Sequence, residues 1–150
     1  MYEAVKGIHN ILRWVVVFSA LFALWRIYGG IIAKRAWVKA DQIGGLVFTA
    51  ALGVQFLLGL WLYGISPVTL AAMRDPSLIS QDFNLQFFFI WHFAGMLLAL
   101  VVSQLGYSLA KRAPEDVVKF RRAAIGYTLG AVLIAIAIPW WRPLLPWYLA

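Results

Sequence analysis

Four long apolar runs restrict the fold of this 150-residue chain more than any other feature. A helix that crosses a bilayer needs about 20 predominantly apolar residues, and 63% of this chain is hydrophobic. The runs cover residues 8–32, 43–65, 83–110 and 123–141, and the last three contain no charged residue. We predict an all-α membrane protein, one domain over residues 1–150, with four transmembrane helices and the lipid bilayer as its main partner.

The connections between the runs predict local helix starts and the orientation. Ser66 followed by Pro67 indicates a short helix in the second connection, and Pro114 before Glu115 and Asp116 indicates that the fourth helix begins ahead of its apolar run. Cytoplasmic loops carry an excess of Lys and Arg. The first and third connections hold eight such residues and the opposite side three, so we expect an up-and-down bundle with both termini outside. The eight are Lys34, Arg35, Lys39, Lys111, Arg112, Lys119, Arg121 and Arg122; the three are Lys6, Arg74 and Arg142.

Charge and composition exclude several classes of function. The net charge of +7 does not indicate a nucleic-acid partner, because the positive-inside rule already accounts for basic loops. The chain has no cysteine, which excludes disulfides, iron–sulfur ligation and covalently attached haem. Aromatic side chains near the ends of the runs fit interfacial belts. These are Trp25, Tyr28, Trp37, Tyr63, Trp140, Trp141, Trp147 and Tyr148.

The chain has two histidines, His9 and His92, which fall in the first and third runs. In an up-and-down bundle these two helices run in the same direction on a diagonal. Lys111 lies 19 residues after His92, and Arg26 lies 17 residues after His9. The histidines therefore share a depth if Arg26 marks the end of the first span; if Lys34 marks it, their depths differ by roughly 9 Å.

Two imidazoles that face each other across a bundle suit the axial positions of a haem. The alternatives are a helix–helix hydrogen bond or, for His9, a place at the interface. A mononuclear zinc or copper site would want three or four ligands, and the chain offers only the two histidines at that depth.

Residues around His92 and His9 extend the candidate site. Gly95 and Met96 begin a stripe of mostly small side chains that would leave room for a macrocycle, although tight helix packing explains glycines equally well. Phe88 is the nearest neighbour of His92 one turn earlier. Arg13 lies one turn from His9 and could hold a haem propionate; snorkelling to the interface is its alternative. For Arg26 we expect snorkelling, and for Arg142 a lipid phosphate, with a haem propionate as its alternative.

The segments IHNILRW, FFFIWHFAGM and KFRRAAIGYTLGAVLIAIAIPWWRP resemble a family of small bacterial four-helix membrane proteins described as cytochrome b-like, frequent in Bacteroidetes-type bacteria. The resemblance covers nearly the whole chain. It implies the inner (cytoplasmic) membrane of a bacterium and one haem b with His9 and His92 as axial ligands and Arg13 close by. Membrane cytochromes with two haems use four histidines, so two such haems are excluded here.

Two functions follow as hypotheses. In the first, the chain transfers single electrons near the outer face of the membrane, because two axial histidines leave no open iron position for oxygen. Its partner would be the quinol pool or a larger redox complex. In the second, the chain is an accessory subunit that only packs against a larger respiratory or photosynthetic complex. A transporter is disfavoured, since the second and fourth runs hold no acidic residue.

Overall fold

The computed structural model describes residues 1–142. Trp147 and Tyr148, two of the residues predicted for the aromatic belts, lie outside the described residues. Six α-helices occur in this part of the chain, together with a 3₁₀ turn at Pro76–Ser80 and a π-helical segment at Phe87–Trp91. No residue from 1 to 142 forms a β-strand. The helices are α1 Tyr2–Ile32, α2 Lys39–Ile65, α3 Pro67–Arg74, α4 Phe83–Gln86, α5 His92–Lys111 and α6 Asp116–Ala137.

Four helical stretches are long and apolar enough to cross a membrane, and they confirm the predicted all-α class with four apolar spans. They are α1, α2, α6 and the continuous stretch Phe83–Lys111, which joins α4, the π-helical segment and α5. Large apolar side chains are exposed along all four. Such surfaces are stable in lipid but not in water.

The short connecting helices begin where the capping residues predict. Pro67 is the first residue of α3, and the Ser66 hydroxyl accepts a hydrogen bond from the amide of Val68 at 3.3 Å. The Asp82 carboxylate accepts from the first amides of α4. Helix α6 begins at Asp116, ahead of its apolar run, as the acidic residues after Pro114 indicate.

The end of α6 differs from the prediction. The fourth apolar run was expected to stay helical to Trp141, but the helix ends at Ala137. Ile138 is extended, with φ −72° and ψ 129°. A proline disfavours the α conformation in the residue before it, so Pro139 stops the helix at this point.

Each long helix packs against two others. Helix α1 contacts α2 and α6, and α5 contacts the same two, so α1 and α5 face each other across the bundle. The closest approach is between α5 and α6, where a Cβ added to Gly106 would lie 2.7 Å from the Cα of Gly126. A Cβ on Gly130 would collide with the Ser103 hydroxyl. These glycines serve helix packing, the alternative that the sequence left open for the stripe of small residues.

A buried carboxylate ties the end of α1 to the start of α2. Asp41 has no exposed side-chain area and lies between Arg26, at 2.8 Å, and Arg35, at 2.6 Å. It also accepts the amide of Val38 at 3.0 Å, which caps α2. The hydrogen bond to this carboxylate raises the pKa of Arg35 above its ordinary value. The expectation that Arg26 snorkels to lipid headgroups is therefore wrong, because Arg26 is ion-paired within the protein.

Candidate functional site

The two histidines meet across the bundle, one from α1 and one from the first residue of α5. Their ring centres are 6.3 Å apart, and the ring planes are inclined by 70°. His9 lies about two turns into α1, since this helix begins at Tyr2 rather than at the start of the apolar run. The Arg26 side chain is ion-paired with Asp41, and α1 continues beyond it to Ile32.

His92 is oriented by the end of α6. Its Nδ1 lies 2.7 Å from the carbonyl oxygen of Ala137, and since a carbonyl only accepts, this nitrogen carries the proton. The last carbonyls of a helix lack partners within the helix, and because α6 ends at Ala137, the carbonyl of Ala137 is available to the imidazole. The bond fixes the ring and its tautomer and leaves Nε2 as the nitrogen with a free lone pair, the arrangement seen in metal-ligating histidines.

The surroundings of His9 come from α2. Gln55 is buried and its Nε2 donates to the His9 backbone carbonyl at 3.0 Å. The Gln55 Oε1 and the His9 Nδ1 are both buried and make no hydrogen bond to any described residue. Buried polar atoms usually have partners, so this pair of atoms marks a place where a polar group or a ligand is expected. Gly59 lies beside the His9 ring, where an added Cβ would be in ordinary contact with the His9 Cε1 at 3.4 Å.

A cavity of about 190 Å³ opens beside both rings and runs between the helices and α3. A smaller one of about 30 Å³ adjoins it between α2 and α5, where Phe56 and Phe93 contribute to its wall. Both cavities are lined by His9 and His92. Each imidazole therefore borders two cavities of the protein.

The segment before His92 departs from α-helical geometry. The His92 amide donates to the carbonyl of Phe87, five residues earlier, as in a π-helix. Such π-helical segments, in which one extra residue is inserted into an α-helix, are frequent at functional sites. The insertion brings two phenylalanine rings close to the imidazole, Phe88 at 5.8 Å and Phe87 at 5.9 Å. Tyr63 from α2 stabilises it by donating its hydroxyl to the carbonyl of Phe89 at 3.0 Å.

The other residues predicted for the site are only partly brought together. Arg13, 8% exposed, lines the large cavity, and so do Met96 and Phe88. Gly95 does not line either cavity. It faces α6 instead, where an added Cβ would lie 3.1 Å from the Cβ of Ala137.

Sequence reasoning ranked two residues too low. Gln55 is not among the residues predicted for the site, although a strongly polar side chain in an uncharged span is itself a signal. Tyr63 was assigned to an interfacial belt, and nothing in the sequence reveals that it supports a π-helical segment. Arg142, expected at a lipid phosphate, lines the large cavity.

The distance between the two ring centres agrees with two histidines on one metal ion. Imidazole nitrogens bind metal ions at about 2 Å, so two rings that share one metal have centres roughly 6 Å apart. The two cavities together are smaller than the roughly 300–1,000 Å³ of small-molecule sites. A macrocycle therefore requires the aromatic side chains around the histidines, such as Phe56 and Phe93, to move apart.

No larger group of metal-ligating side chains occurs in the part of the chain that the structure describes. Within residues 1–142, no three His, Cys, Asp or Glu side chains lie together in a way that could hold a metal ion. Comparisons with protein-family models, curated proteins and solved structures each give no significant match. The resemblance to cytochrome b-like proteins thus stays a prediction, and the case for function depends on the geometry of the site.

Proposed function

We propose that this chain is a small membrane cytochrome in which His9 and His92 are the two axial ligands of one haem b. The observation that supports the proposal most strongly is the 6.3 Å separation of the two ring centres across the bundle. It agrees with the spacing of about 6 Å expected for two imidazoles on one metal. The histidines come from facing helices, which is how helix bundles build cofactor sites.

The number of protein donors favours a macrocycle over a bare metal ion. Zinc sites in proteins use three or four protein ligands, whereas this site offers two. A metal that already carries four donors in its own ring needs only the two axial ones. The hydrogen bond from His92 Nδ1 to Ala137 keeps Nε2 available as the donor.

The two axial histidines favour electron transfer over oxygen chemistry. When bound, haem iron supplies a one-electron couple. The histidines fill both axial positions, and the apolar neighbours Phe87, Phe88 and Met96 limit the access of water to the site. Electron exchange with the quinol pool or with a larger redox complex is the role that follows.

The proposal includes a topology and a location. We place the four spans in an up-and-down bundle in the inner membrane of a bacterium, with both termini outside. The contacts of α1 and α5 with α2 and α6 support this arrangement. Because His9 lies near the start of α1, the site would lie in the outer half of the membrane.

Haem content of the purified protein tests the proposal. We expect the wild type to be coloured, to give a b-type pyridine haemochrome and to contain about one haem per chain. The variants His9→Ala and His92→Ala should each lose most of this haem, whereas Asn10→Ala, a change at a cavity residue that is not a proposed ligand, should retain it. Colourless wild type would refute the proposal and leave the accessory-subunit hypothesis.

A further inference from the structure

Gln55 of α2 is buried beside the histidines in a place where a polar side chain is costly. Its side chain belongs to a residue that is 3% exposed, and it lines both cavities. It is also the only amide side chain in the apolar run 43–65, which holds no charged residue. A polar group of this kind within a span usually has a functional role. Its hydrogen bonds therefore deserve a full account.

The bond from Gln55 to α1 fixes which end of the amide faces which way. The Gln55 Nε2 donates to the His9 backbone carbonyl at 3.0 Å. Because a carbonyl oxygen only accepts, the amide nitrogen has to lie on this side. The Gln55 Oε1 is thereby turned away from the carbonyl. It is buried and needs a donor, which none of the described residues supplies.

The His9 ring carries the atom that matches this acceptor. Its Nδ1 is buried as well and makes no hydrogen bond within the described part of the chain. When a neutral imidazole binds a metal through Nε2, its proton lies on Nδ1, which is then a donor. In the ligated state the two unsatisfied atoms are therefore complementary, a donor on His9 and an acceptor on Gln55.

One water molecule has room to connect the two atoms. Gln55 and His9 both line the smaller cavity, which has a volume of about 30 Å³. A buried water needs roughly 10–15 Å³ of such space and at least two polar partners. The two nitrogens of an imidazole point in different directions, so a water at Nδ1 does not block Nε2. The water would accept from His9 Nδ1 and donate to Gln55 Oε1.

We infer that Gln55 is a positioning residue for His9, an inference that rests on the proposed function. Through one bound water, the Gln55 Oε1 accepts the Nδ1 proton and keeps Nε2 as the metal donor. His9 thus has a counterpart of the Ala137 carbonyl, which lies 2.7 Å from the Nδ1 of His92. The two ligands differ in one respect. His92 is held by a backbone atom, whereas His9 is held by a side chain, so a substitution can weaken His9 alone.

The Nδ1 protons themselves provide the test, because the chain has only two histidines. The full chain is labelled with ¹⁵N-histidine, loaded with haem in detergent and reduced, since low-spin ferrous haem is diamagnetic and leaves NMR signals sharp. We expect two downfield Nδ1 protons, as for hydrogen-bonded N–H groups. In Gln55→Leu, one of them should move upfield and haem should bind about tenfold more weakly, because a supporting hydrogen bond is lost.

Two further variants separate the acceptor from a structural role of the side chain. Gln55→Glu keeps an acceptor oxygen but replaces the Nε2 that bonds to α1, so both protons should stay downfield and haem affinity should stay close to that of the wild type. Gln104→Leu is the matched control, because Gln104 is exposed on α5 and lines neither cavity. It should change neither signal nor affinity.

Each other outcome overturns the inference. If Gln55→Glu behaves like Gln55→Leu, the side chain only supports the backbone of α1. A wild type that binds haem but shows a single downfield Nδ1 proton refutes the role of Gln55 and leaves ligation by the histidines intact. A wild type that binds no haem refutes the proposed function as well. If Gln55→Leu does not fold, the wild-type spectrum and Gln55→Glu still decide.

Discussion

The imidazole rings of His9 and His92 face each other across the bundle with their centres 6.3 Å apart. They are the only histidines of the chain, and they lie on α1 and α5, which face each other across the bundle. Helices α2 and α6 hold these two helices apart, and the gap between them is continuous with a cavity. The predictions below test how the rest of the molecule maintains this arrangement.

The first prediction concerns the end of α6. Pro139→Ala should allow α6 to extend, so that a new amide competes with His92 for the carbonyl of Ala137. Loss of such a supporting bond typically lowers metal affinity about 10- to 100-fold. We expect weaker haem binding of this order, measured by titration of the haem-depleted chain. Pro114→Ala, in the connection before α6, is the control and should bind haem like the wild type; equal loss in both variants would contradict the prediction.

The second prediction concerns the contact between α5 and α6. Gly106→Ala places a Cβ 2.7 Å from the Cα of Gly126, so the two backbones must separate, at a cost of about 1–3 kcal/mol. Gly53→Ala is the matched control, because an added Cβ there meets nothing within 4 Å. The control should be neutral or slightly stabilising, since alanine favours helix. Thermal unfolding in detergent measures both; an equal or larger loss in Gly53→Ala would refute the account of this contact.

The third prediction concerns the buried carboxylate of Asp41. Asp41→Asn removes the negative charge between Arg26 and Arg35 and leaves two guanidinium groups close together. Because the carboxylate is fully buried and the arginines are partly exposed, we expect a loss of about 2–4 kcal/mol in unfolding free energy. Asp116→Asn removes a more exposed carboxylate that pairs with Lys119, and should destabilise less. Reversible unfolding in mixed detergent micelles gives both values; the opposite order would contradict the prediction.

The sequence was sufficient to predict the four membrane spans. Long apolar runs with few or no charged residues leave few other folds. It also predicted that His9 and His92 share a depth, but only on the condition that Arg26 marks the end of the first span. The pairing of Arg26 with Asp41 depends on how α2 begins and is not visible in the periodicity of the sequence. The hydrophobic pattern therefore could not decide between the two depths predicted for His9.

Other features depended on long-range contacts. The π-helical segment Phe87–Trp91 is as apolar as the helix around it, and the bond from Tyr63 to Phe89 that supports it joins two different helices. Gly95 follows the spacing of the site on α5, yet it faces Ala137, because the direction in which α6 approaches decides which face of α5 is covered. The early end of α6 was predictable from Pro139 by a local steric rule.

The ligation state of the iron tests the central claim most directly. The ferric wild-type protein, loaded with one haem per chain, is examined by low-temperature electron paramagnetic resonance. Two axial histidines predict a six-coordinate low-spin signal in the wild type. In His9→Ala and His92→Ala, the small fraction of haem that stays bound should be high-spin, and added imidazole should restore the low-spin signal. A high-spin wild type, or a low-spin signal that survives in either variant without imidazole, would contradict the account.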